Sequence, residues 1–376
     1  MINVFQPSLD WQDVAAISAP MLANWPGRGA VAAEFEKAWA SRMGVASTCC
    51  IAVTSATEGL FAIMRVLPGS GSVVMPSLCF SGAANAVMEA GLRPVFCDVD
   101  RRTLNPTRKH IAAAKTPDTQ AVLVLHYAGV PTGPVLAGDD DTTLLIEDCA
   151  CTPASRWQGD LCGRYADFAV WSFDAMKIMT TGDGGMLYAR REQDADWLRH
   201  YLALGQSWAS GIESDQAYRW WKFDVTCSGR RGLMNDMTAS LGLSQLRQLA
   251  NFVNWRRTLH QIYDSLLAGL DWLLTPPAVP EQAVSSHYCY HIQLATPTLR
   301  DVLATYLRVC DIYTTFRYYP LHRIPFYACT GQSTSLPNTD YAADHTLLLP
   351  LHQGLRREDI EYICKVIHTF GKEHGL

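Results

Sequence analysis

The chain has 376 residues, 48% of them hydrophobic and 18% charged, with a formal net charge of −5. That length accommodates a large core and two domains. The composition excludes a disordered chain, and the scattered Lys and Arg exclude the clustered basic surface that nucleic-acid binding needs.

The N-terminal MINVFQPSLDWQD has no basic stretch followed by an apolar one, so no signal peptide is expected. No apolar run approaches the roughly 20 residues of a membrane span, and a cytoplasmic location is expected. Thr57–Val66 reads as a helix, with small residues just before it. Ser72–Met75 reads as a buried strand ending at Pro76, Gly82–Ala90 as a helix and Pro94–Val99 as a strand. Ala121–Leu125 and Thr143–Ile146 are further apolar strands. Phe168–Phe173 and Gly185–Ala189 form two more, joined by a Gly-rich turn. Short apolar strands alternating with helices predict a mostly parallel sheet covered on both faces. A long helical pattern runs from Thr238 to about Leu270. Beyond it come a strand at His291–Ala295 and helices at Thr298–Val309 and Arg357–Phe370. This places a large domain at 1–250 and a small one at 251–376.

Parallel sheets present ligands at the carboxyl ends of their strands, and four features fall at strand ends or helix starts. Asp148 closes the strand in IEDCAC, and Lys177 follows a strand in WSFDAMKIMTTGDGG. Ser55-Ala56-Thr57 opens a helix, and Phe80 lies between a strand and the next helix. Pyridoxal phosphate needs four things from a protein. These are a lysine for the imine, a carboxylate for the ring nitrogen, amides and hydroxyls for the phosphate, and a flat side chain against the ring. Each candidate alone has a plainer explanation: a surface lysine, a cap, an N-terminal turn, a core aromatic. Their joint occurrence in this order makes the case. The 12 cysteines follow no zinc spacing and include no CxxC pair, so they are read as reduced thiols with no metal site.

Several blocks resemble the DegT/DnrJ/EryC1/StrS group of sugar aminotransferases: VVMPSLCFSGAANAVMEAGLRPVFCDVD, LVLHYAGV, IEDCAC, WSFDAMKIMTTGDGG, MNDMTASLGLSQL, FRYYPLH and LLLPLH. The similarity runs from about Asn24 to the C-terminus. HYAGV and YYPLH are most similar to enzymes that aminate a dTDP-4-keto-6-deoxyhexose. The resemblance implies the fold type I aminotransferase architecture, α/β, with a mostly parallel seven-stranded sheet and a smaller C-terminal α+β domain. It implies pyridoxal 5'-phosphate as cofactor, L-glutamate as donor, a nucleotide-linked keto sugar as acceptor and a homodimer with shared active sites. Lys177 falls on the imine lysine, Asp148 on the partner of the pyridine nitrogen and Ser172 on a phosphate-binding hydroxyl. Ala56 and Thr57 fall on the phosphate turn, Phe80 on the stacking aromatic, and His322 in a block bordering the substrate pocket. Desolvation and the neighbouring imine chemistry are expected to lower the Lys177 pKa so that it can act as base.

Three positions depart from the family pattern. Cys151 replaces a Gln that approaches the cofactor's ring hydroxyl. Ala56 stands where Gly is frequent. Arg231 stands where an Asn of the partner subunit reaches the phosphate; an Arg there could pair with that phosphate, reach a nucleotide diphosphate, or lie at the dimer interface. The alternatives are amination of a C3-keto sugar or keto-cyclitol, or a protein that binds the cofactor as a sensor or scaffold.

Overall fold

In the computed structural model of the chain, which describes residues 1–136, 142–206, 221, 223–328 and 335–376, the apolar runs form a seven-stranded sheet. Its strands are β1 (Cys50–Val53), β2 (Ser72–Pro76), β3 (Arg93–Cys97), β4 (Thr119–Leu125), β5 (Leu144–Asp148), β6 (Phe168–Ser172) and β7 (Gly185–Ala189). Their order across the sheet is β1-β7-β6-β5-β4-β2-β3. Only β7 runs antiparallel to its neighbours. Residues of β1, β2 and β7 are buried throughout, as expected for a sheet covered by helices on both faces. The shared direction puts the ends of β1, β2, β4, β5 and β6 on one edge, together with the start of β7. That edge carries Ser55, Phe80, His126, Asp148 and Ser172.

Helix α1 (Trp11–Leu22), α2 (Ala30–Met43) and the long helix Asp236–Leu266 pack together. The carboxylate of Asp236, at the first position of the long helix, accepts from the Gly29, Val31 and Ala32 N–H groups at 2.8, 3.3 and 3.0 Å. It therefore caps α2, whose own Gly29 has no side chain to do so.

Two apolar cores meet along the long helix. Ala239, Leu249 and Val253 join the core of the large sheet. Leu259, Ile262 and Tyr263 join a second core under a three-stranded antiparallel sheet (Leu273–Leu274, Tyr290–Leu294, Thr346–Leu349) and the helices Pro297–Val309 and Arg357–Glu373. The α/β class with a smaller C-terminal unit is as the sequence predicts. The change of core falls inside a helix rather than at a linker, and Leu321, Leu336 and Ala342 return to the first core. No helix among the described residues is long and apolar enough to cross a membrane.

His291 and His352 are each 3% exposed. Burial pushes both down to about 4, helped by the charges of Arg102 and Arg256 respectively. Unfolded imidazole binds its proton near ~6.5, so between there and about 4 the unfolded chain holds more protons than the folded one. Stability is then complete above the unfolded value and falls as pH drops, by up to ~1.4 kcal/mol per pH unit for each histidine. The urea midpoint should decline steeply between pH 6.5 and 4.5; a flat profile there would contradict the burial argument.

Candidate active site

Lys177 sits in a tight loop between β6 and β7. Its backbone N–H donates to Asp174 O at 2.9 Å, and Thr181 N–H returns to Phe173 O at 2.8 Å. The Thr180 hydroxyl donates to the same Phe173 carbonyl at 3.2 Å. Gly182 has φ +82°, a left-handed turn that a glycine adopts without strain. These bonds fix the lysine at the carboxyl end of β6, next to the end of β5.

Asp148 ends β5 and is 5% exposed. One carboxylate oxygen accepts from Ala150 N–H at 3.0 Å. Burial pushes its carboxyl above the usual aspartate range, opposed by that N–H and by the charges of Lys177 and His126. Lys177 Nζ lies 5.0 Å from the ring centre of Tyr288. Burial disfavours the ammonium. The surroundings of Tyr288, Tyr318, Cys151 and Asp148 outweigh it and hold the pKa well above the usual lysine value. In the ligand-free chain burial thus acts in the expected direction and is outweighed. The groups that reverse it include two phenols from more than a hundred residues further along the chain.

Beside this pair, Ser55 caps helix α3 (Ala56–Met64), its hydroxyl accepting from Glu58 N–H at 3.0 Å. The first amides of such a helix have no intrahelical acceptor, and the helix dipole adds positive charge there. A Cβ on Gly185 would lie 2.5 Å from Ala56 N, 2.8 Å from Ser55 C and 2.8 Å from Trp171 O, all backbone atoms that cannot swing away. Gly185 also pairs with Ser172 across β6 and β7. The glycine thus lets the turn and the Ser172 hydroxyl converge on one space. Gly185→Ala should cost roughly 1–3 kcal/mol of stability by overpacking and displace the turn. Thermal unfolding and cofactor titration would read the two effects separately, and wild-type values in both would contradict this packing argument.

Phe80 is half exposed and leans on Tyr318, ring centres 6.1 Å apart. A Cβ on Gly82, in helix α4 (Ser81–Glu89), would meet both the Thr57 methyl at 2.8 Å and the Phe80 ring at 3.0 Å, so these residues border one another. Cys151 is buried among Lys177, Asp148 and Arg256. Of the ten residues singled out from sequence as chemistry-bearing, counting Ser55, eight thus lie at or beside the carboxyl edge of the sheet.

Neither His322 nor Arg231 has a described contact with Lys177 or Asp148. His322 Nδ1 pairs with the Ser77 hydroxyl at 2.7 Å and Nε2 with Asp340 at 3.2 Å, so both ring nitrogens already tie its block to the end of β2. Arg231 is exposed, on the segment whose Gly232 O accepts from Thr54 N–H at 2.8 Å. No described contact joins it to Lys177 or Asp148. Three aromatic residues went unmarked in the sequence. Tyr127, whose hydroxyl donates to Arg317 O, Tyr288 and Tyr318 all close the site.

The set matches pyridoxal phosphate in its chemistry. It offers an amine, a carboxylate across from it, a cradle of helix amides and a hydroxyl that a Cβ at Gly185 would fill, and an exposed flat ring. The Tyr288 hydroxyl, buried with no partner, adds a polar atom awaiting a ligand.

The family model for the DegT/DnrJ/EryC1/StrS aminotransferase family matches residues 7–368. Over its full length the chain is 44% identical to a dTDP-4-dehydro-2,3,6-trideoxy-D-glucose 4-aminotransferase of Saccharopolyspora spinosa, 98% of which is covered. The crystal structure of the aminotransferase TlmJ from Streptoalloteichus hindustanus is 42% identical, with TM-score 0.92 and complete coverage of both chains. A Streptococcus pneumoniae protein solved in PMP form shares the fold alone, at 21% identity and TM-score 0.90, with 99% and 100% of the two chains covered.

Proposed function

Because the chain belongs to the DegT/DnrJ/EryC1/StrS aminotransferase family, we propose that it transfers the amino group of L-glutamate to a nucleotide-linked keto sugar, a dTDP-4-keto-6-deoxyhexose, with pyridoxal phosphate held on Lys177. The observation that carries this is the meeting of Lys177 and Asp148 at the ends of β6 and β5, beside the capped start of α3. The substrate class is supported by the 44% identical relative, whose acceptor is a dTDP-linked sugar aminated at C4. That relative favours C4 over the C3-keto sugar and keto-cyclitol alternatives.

When bound, the coenzyme supplies an aldehyde for amines and a ring that withdraws electrons from the carbon next to the amine. Lys177 contributes the amine that binds it, and its Nζ takes the α-proton of glutamate and later delivers a proton to the sugar carbon that gains nitrogen. Asp148 holds a proton on the ring nitrogen, because a buried carboxylate is stabilised by an adjacent cation. The α3 amides with Ser172 and Thr57 hold the phosphate, and Phe80 packs on the ring face. His322 orients the 320s block rather than touching substrate. Arg231 is exposed, which is compatible with a role at a homodimer interface.

Glutamate should bleach the yellow coenzyme-loaded protein. Subsequent dTDP-4-keto-6-deoxyglucose should restore the colour and yield a C4-amino sugar by mass spectrometry and NMR. No bleaching would favour a sensor, and amination at C3 would overturn the carbon assignment.

A further inference from the structure

Among the described residues, Tyr288 carries the only phenol oxygen that is buried without a hydrogen-bond partner. Burying such an atom unpaired is costly, and an orphan of this kind calls for an explanation such as a ligand. Other buried phenols have partners: Tyr263 donates to Pro350 O at 2.9 Å and Tyr290 to Asp264 at 2.8 Å. The Tyr288 ring is held firmly. Phe5 stacks on it with centres 5.1 Å apart, and its backbone N–H donates to Ala128 O at 3.0 Å. Gly129 permits this approach, since a Cβ there would lie 2.9 Å from Tyr288 N and 3.1 Å from Cys151 O. The orphan hydroxyl is therefore fixed rather than loosely packed.

The layout of the site says what it faces. In pyridoxal phosphate the aldehyde carbon lies between the phosphate arm on one flank and the ring hydroxyl on the other, with the ring nitrogen opposite. With the amine at Lys177, the carboxylate at Asp148 and the phosphate at α3 beyond β6, the ring hydroxyl would lie on the side away from α3. Cys151 and Tyr288 both feel the charge of Lys177 and meet each other beside Gly129. A cysteine is a short, weak donor. A phenol is a good one, and burial raises the Tyr288 pKa against the pull of Lys177, keeping its proton on.

Resting on the coenzyme assignment above, we propose that Tyr288 is a positioning residue whose hydroxyl donates a hydrogen bond to the ring hydroxyl oxygen of pyridoxal phosphate, the contact that Cys151 is too short to make. The donor drains negative charge from that oxygen, which otherwise stabilises the protonated nitrogen joining Lys177 to the coenzyme. Its removal should make that nitrogen hold its proton to higher pH.

The test is a spectrophotometric pH titration of the loaded protein. Tyr288→Phe should raise the midpoint of the visible-band transition by about one pH unit, the size of one such hydrogen bond, and weaken coenzyme retention. Adding Cys151→Gln to that variant should bring the midpoint back by supplying a longer donor. Apo-protein melting curves report whether the variants fold. A folded, yellow Tyr288→Phe protein with the wild-type midpoint overturns this proposal alone. A wild-type protein that forms no visible band with pyridoxal phosphate overturns the coenzyme assignment and this proposal together.

Discussion

Lys177→Ala is expected to abolish the visible band of the coenzyme-loaded protein and to lower turnover by about 10⁴-fold, the upper range for a positioned acid–base group. The reasoning is local. The loop that holds Lys177 is fixed by backbone bonds and by Thr180, none of which uses the lysine side chain. The fold should therefore survive, and the loss should lie in chemistry alone. Two controls sharpen the outcome. Lys177→Arg keeps a cation near Asp148 but cannot lose its proton or form an imine, so it should be as inactive as the alanine variant. A small primary amine added to Lys177→Ala should restore part of the turnover. If Lys177→Ala stays yellow and active, the catalytic assignment is wrong. If Lys177→Arg is active, the lysine acts as a charge and not as a base.

The raised pKa of Lys177 bears on that assignment. Without a ligand, the Lys177 pKa stands above the usual lysine value although burial pushes it down, so the amine stays charged. Attack on an aldehyde needs the neutral form. Loading with pyridoxal phosphate should therefore speed up as pH rises, and the sequence offered no hint of this. Tyr288 and Tyr318 lie 111 and 141 positions beyond Lys177 in the chain. Tyr288 and Tyr290 lie just before the strand expected at His291–Ala295, and nothing in YCYHIQL distinguishes the one that faces the lysine.

The strand ends were a different matter. Asp148 and Lys177 could be found because the runs before them are short, apolar and sharply ended, which fixes where the carboxyl edge of a parallel sheet must be. The same logic missed β1, because CIAV follows a 3-10 turn at Ser47–Cys49 with no Gly or Pro to mark the strand's start. It could not show that the Gly-rich turn sends β7 back antiparallel. Nor could it show that the segment carrying His322 spends both its ring nitrogens on Ser77 and Asp340, since those partners lie 245 and 18 residues away in sequence.

Asp148→Asn is expected to slow turnover by roughly 10²-fold while the protein remains yellow. The amide is the same shape, and its oxygen can still accept from Ala150 N–H. What disappears is the charge that keeps a proton on the ring nitrogen. A hydrogen bond to a charged group contributes up to ~3 kcal/mol, and ~1.4 kcal/mol is tenfold in rate, which sets the size of the loss. Stability should move the other way. Asp148 is a carboxylate at 5% exposure whose pKa burial has already raised, so the empty protein carries the cost of a buried charge. Neutral Asn relieves that cost, and the apo variant should melt no lower than wild type. Loss of activity with unchanged or higher melting temperature would mark Asp148 as a residue kept for chemistry. Loss of both would mean that it holds the strand end in place, and equal activity would remove it from the site.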